Sequence, residues 1–525
     1  MGAVAADGTG DGDGTPPAPR FREIAQQLHI HHQYVGEWEH FVGGGVATLD
    51  CDGDRLPELF VAGGAAPSVL LRNTSPAPGA ALAFTEETPD NLRITGVIGA
   101  YPLDVDSDGI LDLMVLRAGE NLLLRGSGNC RFAPFPSTLG FKGGTAWTTA
   151  FSATFEPGKR LPTLAVGNYV DRDNPDGPFG ACDTSWLFRS QGERYGPPFP
   201  LDPGYCTLSM LFSDWGRKGR QDLRVSNDRH YYPAGGEEQM WVVSPTPHLM
   251  GAADGWVSYR LWGMGIASRD ISGDGIPEVF MTSMGDQKLQ YLVPGATGPR
   301  FADATYERGT TAQRPYTGGD TRGSTGWHAQ FGDAQNDGFD DIFIAKGNVD
   351  EMPDSAMMDP NNLLLQSPDG MFHEAGDVAG IASGERGRGA SFADLNLDGK
   401  LDLVVVNRRA DMEIYQNVTQ EAGNWLEVQI MQPGINRFAV GSWLEVAAGN
   451  RTWTREITVG GGHASGAAGF SHFGLGDQDL VRLRIIWPDG TVSSWLEVAA
   501  NQILTLRRDG DQFQAQDPFR ATGAE

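Results

Sequence analysis

Short apolar runs, bounded by glycine, proline and aspartate, recur along the whole chain. Runs of this length and composition predict β-strands rather than helices. One unit shows the order clearly: a glycine-rich apolar stretch (VIGAYPL), an acidic loop (DVDSDGIL), an apolar run (DLMVLRA), a third run (NLLLRG) and a fourth opened by phenylalanine (RFAPF). That makes four strands per unit.

The acidic loop recurs. Clean copies are LDCDGDRLPEL (49–59), LDVDSDGILDL (103–113), RDISGDGIPEV (269–279), GDAQNDGFDDI (332–342) and ADLNLDGKLDL (393–403). Two worn copies, TFEPGKRLPTL (154–164) and SDWGRKGRQDL (213–223), fill the gap between the second and third. The first loop positions fall at 50, 104, 155, 214, 270, 333 and 394. Seven units at this spacing predict an all-β chain built on a seven-bladed β-propeller over residues 21–420. The last unit lacks its fourth strand, and FREIAQ (21–26) is expected to supply it and close the ring. Closure would remove the open sheet edges that invite aggregation.

From about Asn424 the repeat stops and NWLEVQIM, GSWLEVAAG, TREITVGGG, LVRLRIIWPDG and SSWLEVAAN follow. Alternating strands with Pro/Gly turns predict a small β-sandwich-like domain over 424–508. Trp425, Trp443 and Trp495 are expected to pack its core. Residues 1–20 and 509–525 read as disordered tails.

Crowding carboxylates into a short loop is unfavourable unless a hard cation is held there, and calcium fits best. Positions 1, 3, 5 and 9 supply side-chain oxygens and position 7 a carbonyl. The full sets are Asp50, Asp52, Asp54 and Glu58, and Asp104, Asp106, Asp108 and Asp112. The third, Asp394, Asn396, Asp398 and Asp402, exchanges one charge for an amide. Asp270, Ser272, Asp274 and Glu278 use a hydroxyl instead, and Asp333, Gln335, Asp337 and Asp341 a longer amide. Glycine at position 6 allows the sharp turn, and Arg55 occupies that position in the first loop. The worn loops carry Lys159 and Lys218, whose ammonium groups would repel a cation or stand in for it. The expectation is therefore about five Ca²⁺ ions, which let the acidic loops fold.

The formal net charge of −27 argues against nucleic acid and anionic membranes as partners. No apolar run has the length of a membrane span. Cys182 and Cys206 bracket a Pro/Gly-rich insertion, and a disulfide closing it would imply an oxidising compartment. The pairing of Cys51 with Cys130 stays open. Sequons occur at Asn73, Asn417 and Asn450.

The D-x-D-x-D-G-x-x-D-L loops resemble the FG-GAP/VCBS repeats of integrin α-subunit propellers. GGGHASGAAGFSHFGLGD (460–477), followed by VRLRIIWPDG, resembles an ASPIC/UnbV domain. Together they are similar to the cartilage acidic protein family and its bacterial relatives. The resemblance implies a secreted, periplasmic or surface-attached calcium-binding propeller that meets an extracellular protein or glycan. It implies no particular reaction. The rival is an enzyme that uses the propeller channel on a small metabolite, with a cytoplasmic location in its favour. Its candidates are His328, the group His29, His31 and His32, and the group Asp228, His230 and Tyr231. Packing or hydrogen bonding is the expected role for each group, and a structural role for His472.

Overall fold

The computed structural model describes residues 15–175, 180–228, 236–285 and 287–519. Seven sheets, each with four antiparallel strands from residues 21–417, follow one another along the chain, and the first gains Gly466–Ala468 as a fifth, parallel strand. Their innermost strands are Val46–Leu49, Val97–Leu103, Thr148–Thr154, Thr207–Ser213, Gly263–Arg269, Gly326–Gly332 and Gly387–Ala393. Each packs on the next, and the seventh packs on the first, so the chain forms a closed β-propeller. The last sheet is completed by Phe21–Glu23, which pairs with Glu413–Asn417. The N-terminal strand therefore closes the ring.

The second strand of each sheet is buried on both faces, as in Asp112–Arg117 and Asp402–Asn407. That is why these strands read as continuous apolar runs rather than alternating ones. Side-chain amides stitch neighbouring sheets together at the loop end. The Asn73 amide donates to the carbonyls of Pro57 and Leu395, and the Asn417 amide to those of Leu401 and Ala334. Both asparagines are buried, so two of the three sequons serve the fold.

Both cysteine pairs are disulfides, Cys51–Cys130 and Cys182–Cys206, and no cysteine is free. The first ties the opening loop of sheet 1 to sheet 2.

Residues 424–516 form two further four-stranded sheets. One holds Asn424–Met431, paired in parallel with Gln502–Asp509 and antiparallel with Ser471–Gly476. The other is built around Trp443–Ala448. The segment expected to be a tail from residue 509 continues instead as Gln512–Gln516, paired with Thr505–Asp509. The polar sequence there is an edge strand with one solvated face. Leu426, Val428, Leu444, Val446, Phe473 and Ile485 fill the core, with Trp453 and Trp487. The expected core tryptophans lie elsewhere. Trp443 faces the Arg217 guanidinium at 4.4 Å, Trp495 is stacked by Arg484 on the outer sheet, and Trp425 covers Gly399 of the propeller.

Candidate metal loops and the plugged channel

The five clean loops share one hydrogen-bonded shape. The position 1 aspartate accepts two backbone N–H groups across the turn, as Asp104 does from Asp108 (3.2 Å) and Gly109 (2.9 Å). The position 9 carboxylate accepts the N–H of position 2 in every one, from Cys51 to Glu58, Val105 to Asp112, Ile271 to Glu278, Ala334 to Asp341 and Leu395 to Asp402. Position 6 lies in the left-handed region throughout. Arg55 takes it at φ 80°, beside Gly109 at 88° and Gly399 at 82°, so the first loop has the common turn despite its side chain.

These bonds point the remaining oxygens at one another. Ligand atoms of Asp50, Asp52 and Glu58 all lie within 4.8 Å of each other, as do those of Asp104, Asp106 and Asp108. Burial pushes Glu58, Asp112 and Asp402 up to about 8, and Glu278 to about 7, with neighbouring carboxylates adding to the effect. Asp104 and Asp270 rise to about 6, Asp54 also to about 6, and Asp333, Asp341 and Asp394 lie well above the ordinary value, each chiefly through burial. Glu58 Oε1, Asp106 Oδ1, Gln335 Oε1 and Asn396 Oδ1 are buried without a hydrogen-bond partner. Acceptor oxygens that converge, lack donors and resist ionisation fit a hard divalent cation.

The loops differ in what covers them. In the first, Arg72 pairs with Asp52 and reaches Glu58 at 3.9 Å. In the second, Arg125 bridges Asp106 (2.6 Å) and Asp108 (2.9 Å). The sixth and seventh are buried under the C-terminal domain. The worn loops neutralise their acids with arginine, not lysine. Arg189 pairs with Glu156, and Arg220 reaches Asp222 at 2.9 Å. Lys159 and Lys218 turn away to the carbonyls of Ser190 and Thr297.

The C-terminal domain sits on this loop face. Arg455 pairs with Asp340 at 3.0 Å, Arg217 with Glu445 at 2.7 Å, and Trp453 Nε1 donates to the Gly338 carbonyl. Glu456 accepts the Asp214 N–H and the Ser213 hydroxyl. His472 bridges Glu427 and Asn336, at 2.8 Å to each, which gives it the structural role expected.

From that platform residues 459–468 run down the propeller channel. Gly466–Ala468 pair in parallel with Ala47–Leu49, and Ala100, Ala153, Leu211 and Ile266 bridge to the segment. A Cβ at Gly45 or Gly99 would stand 1.8 or 2.0 Å from the Ala464 carbonyl oxygen, so the inner strands need glycine there. His463 is fully buried. Its Nε2 accepts the Gly43 N–H at 3.0 Å and its Nδ1 side faces the Met264 carbonyl at 3.3 Å. His328 Nδ1 accepts the His463 N–H at 3.1 Å, and its Nε2 faces Gln330 Oε1. Burial lowers His328 to about 4 and His463 to about 3, so both are neutral and both hold the plug.

The group His29, His31 and His32 does not converge. His31 pairs with Asp411, and His32 bonds the Ala62 carbonyl. Asp228 accepts the Tyr169 hydroxyl at 2.6 Å. His230 and Tyr231 lie outside the described residues. His463 escaped notice because GGGHASG carries no ligand spacing. The three glycines that let it turn in, at φ 131°, 76° and 58°, were its only signal.

Residues 432–512 match the family described as ASPIC and UnbV. No curated protein matches the chain at a significant level. Among solved structures it is similar to BBS1N in complex with ARL6DN, at 10% identity and TM-score 0.42, covering 74% of this chain and 94% of that one. YCF48 bound to D1 peptide gives 11% identity and 0.39, covering 77% and 99%. An Agrocybe aegerita lectin that recognises non-reducing terminal N-acetylglucosamine gives 15% and 0.38, covering 72% and 94%. All three scores fall below one half, and the propeller rests on the chain's own sheets. No helix among the described residues is long and apolar enough to cross a membrane.

Proposed function

We propose that this chain is a calcium-stabilised interaction scaffold that works in an oxidising, calcium-rich setting. The observation that carries the reading is the hydrogen-bonded shape shared by five acidic loops, with carboxylates converging in the first two and buried oxygens lacking donors in the first, second, sixth and seventh. Asp50, Asp52, Asp54 and Glu58 would hold one ion, and the matching positions of the other four loops one each. A bound ion supplies positive charge that keeps these carboxylates ionised and folded. Two disulfides with no free cysteine favour export. The combination of repeat propeller and UnbV-type domain resembles that of the cartilage acidic proteins, and the resemblance favours an extracellular setting. The partner is then an extracellular protein or glycan.

Native mass spectrometry with elemental analysis, before and after EGTA, tests this. About five calcium ions and a lower melting temperature after chelation are expected. A chain that holds no calcium would overturn the reading. A transition metal that survives EGTA would do so as well, and would move attention to the channel.

A further inference from the structure

The fifth loop differs from the first two in the side chain that stands beside its acids. In the first two loops, the strand residue after the partner of loop position 10 is an arginine. Leu59 pairs with Leu71 and Leu113 with Leu124, which places Arg72 and Arg125 over the acids. In the fifth, Val279 pairs with Gln290, and the residue that follows is Tyr291. A tyrosine, 37% exposed, thus stands where the first two loops carry a guanidinium.

Tyr291 and the loop acids Asp270, Asp274 and Glu278 line one cavity of 650 Å³. Gln366 lines it too. That side chain is 4% exposed, its nitrogen donates to the Ile271 carbonyl, and its Oε1 is buried with no partner. Position 3 of this loop is Ser272, shorter than the Asp, Asn or Gln found in the others. Calcium takes six to eight oxygens. Asp270, Ser272, Asp274, Glu278 and the Ile276 carbonyl give five or six, which leaves places for a ligand's own oxygens.

We propose that this cavity binds a neutral carbohydrate, with vicinal hydroxyls on the loop's ion and a sugar ring on Tyr291. The inference rests on the calcium reading above and adds the ligand class. The charge balance decides for a neutral sugar over an acidic one. Six carboxylates and two arginines line the cavity, so one divalent ion leaves it negative. Excess carboxylates accept from sugar hydroxyls and repel a sulfate or uronate. A ring face with its hydroxyl edge outward suits an amphipathic aromatic platform.

Calorimetric titration of the full-length, calcium-loaded protein with a panel of neutral mono- to trisaccharides is the test. Glycerol and a sulfated disaccharide serve as comparisons, and bound calcium is counted in parallel. A neutral saccharide is expected to bind and EGTA to abolish binding. Tyr291→Ala should weaken it about tenfold or more, and Tyr291→Phe should preserve it, with the calcium count unchanged in both. Full calcium with no saccharide bound, indifference to Tyr291→Ala, or preference for the sulfated sugar would each overturn this proposal alone. A protein that holds no calcium would instead overturn the scaffold reading, and this one with it.

Discussion

Gly474 of the C-terminal domain lies against the Asp333 carboxylate of the sixth loop. A Cβ at that glycine would stand 1.9 Å from Oδ2. Two residues earlier, His472 bonds Asn336 of the same loop. The HFGLG stretch is therefore the lid of one candidate ion site, and the glycine is required by contact, not by its backbone angles.

Gly474→Ala should force this strand off the loop. Overpacking of this kind costs about 1–3 kcal/mol. A lower urea midpoint and one calcium fewer in native mass spectrometry are expected. A variant with parental stability and ion count would show that the strand shifts without consequence.

The pH dependence should disappear with calcium. Glu58, Asp112 and Asp402 sit at about 8 in the folded chain because they are buried. Unfolded carboxyls titrate near about 4. Groups raised in this way favour folding when protonated. Their contribution is complete below about 4 and is lost as pH rises through about 8. In EGTA, the melting temperature should rise as pH falls from 8 to 5. With calcium in excess the ions hold the carboxylates ionised, and the rise should vanish. A flat profile in EGTA would contradict the burial argument. A pH series by differential scanning fluorimetry reads both arms.

The units, their strand order and the closing strand Phe21–Glu23 were legible because a repeated period is visible without contacts. The acidic loops were legible for the same reason, and the position 6 turn of four of them needed only the glycines. What covers each loop was not. Arg72 and Arg125 reach it from another strand, a register that only pairing defines. The plug was also hidden, because GGGHASG is polar, glycine-rich and without period, and reads as an ordinary turn. Trp425, Trp443 and Trp495 misled because near-identical local sequence was taken for an equivalent burial, while the first two face the propeller and Trp495 lies half-buried under Arg484.

The two disulfides should differ in worth. Cys51–Cys130 spans 79 residues and Cys182–Cys206 spans 24. Chain-entropy arguments give about 4.5 and about 3.5 kcal/mol. Paired serine replacements, compared in urea, should therefore lose more stability at Cys51 and Cys130. That pair also adjoins the first loop, where the Cys51 N–H donates to Glu58. The reverse order would show that native strain, not loop length, sets the difference.

The channel segment makes the propeller depend on the domain that follows it. The carbonyls of Met210 and Ile266 accept the N–H groups of Gly461 and Gly462, and Ser152 and Ser209 donate to the Val459 and Gly462 carbonyls. Without residues 424–525 these inner-strand groups would face an emptied channel lined by glycine. A chain ending at residue 420 should melt well below the full chain and show faster amide exchange in its innermost strands. His463→Ala in the full chain removes the acceptor for the Gly43 N–H, which costs about 1–3 kcal/mol when a buried donor is left unpaired. Exchange should then rise first at Gly43 and Gly44, next to the lost bond, before it spreads around the ring. If the shortened propeller keeps the exchange rates of the full chain, its seven sheets are self-sufficient and the segment merely fills a space. If both variants loosen the same strands, the plug is the eighth element of the ring's core.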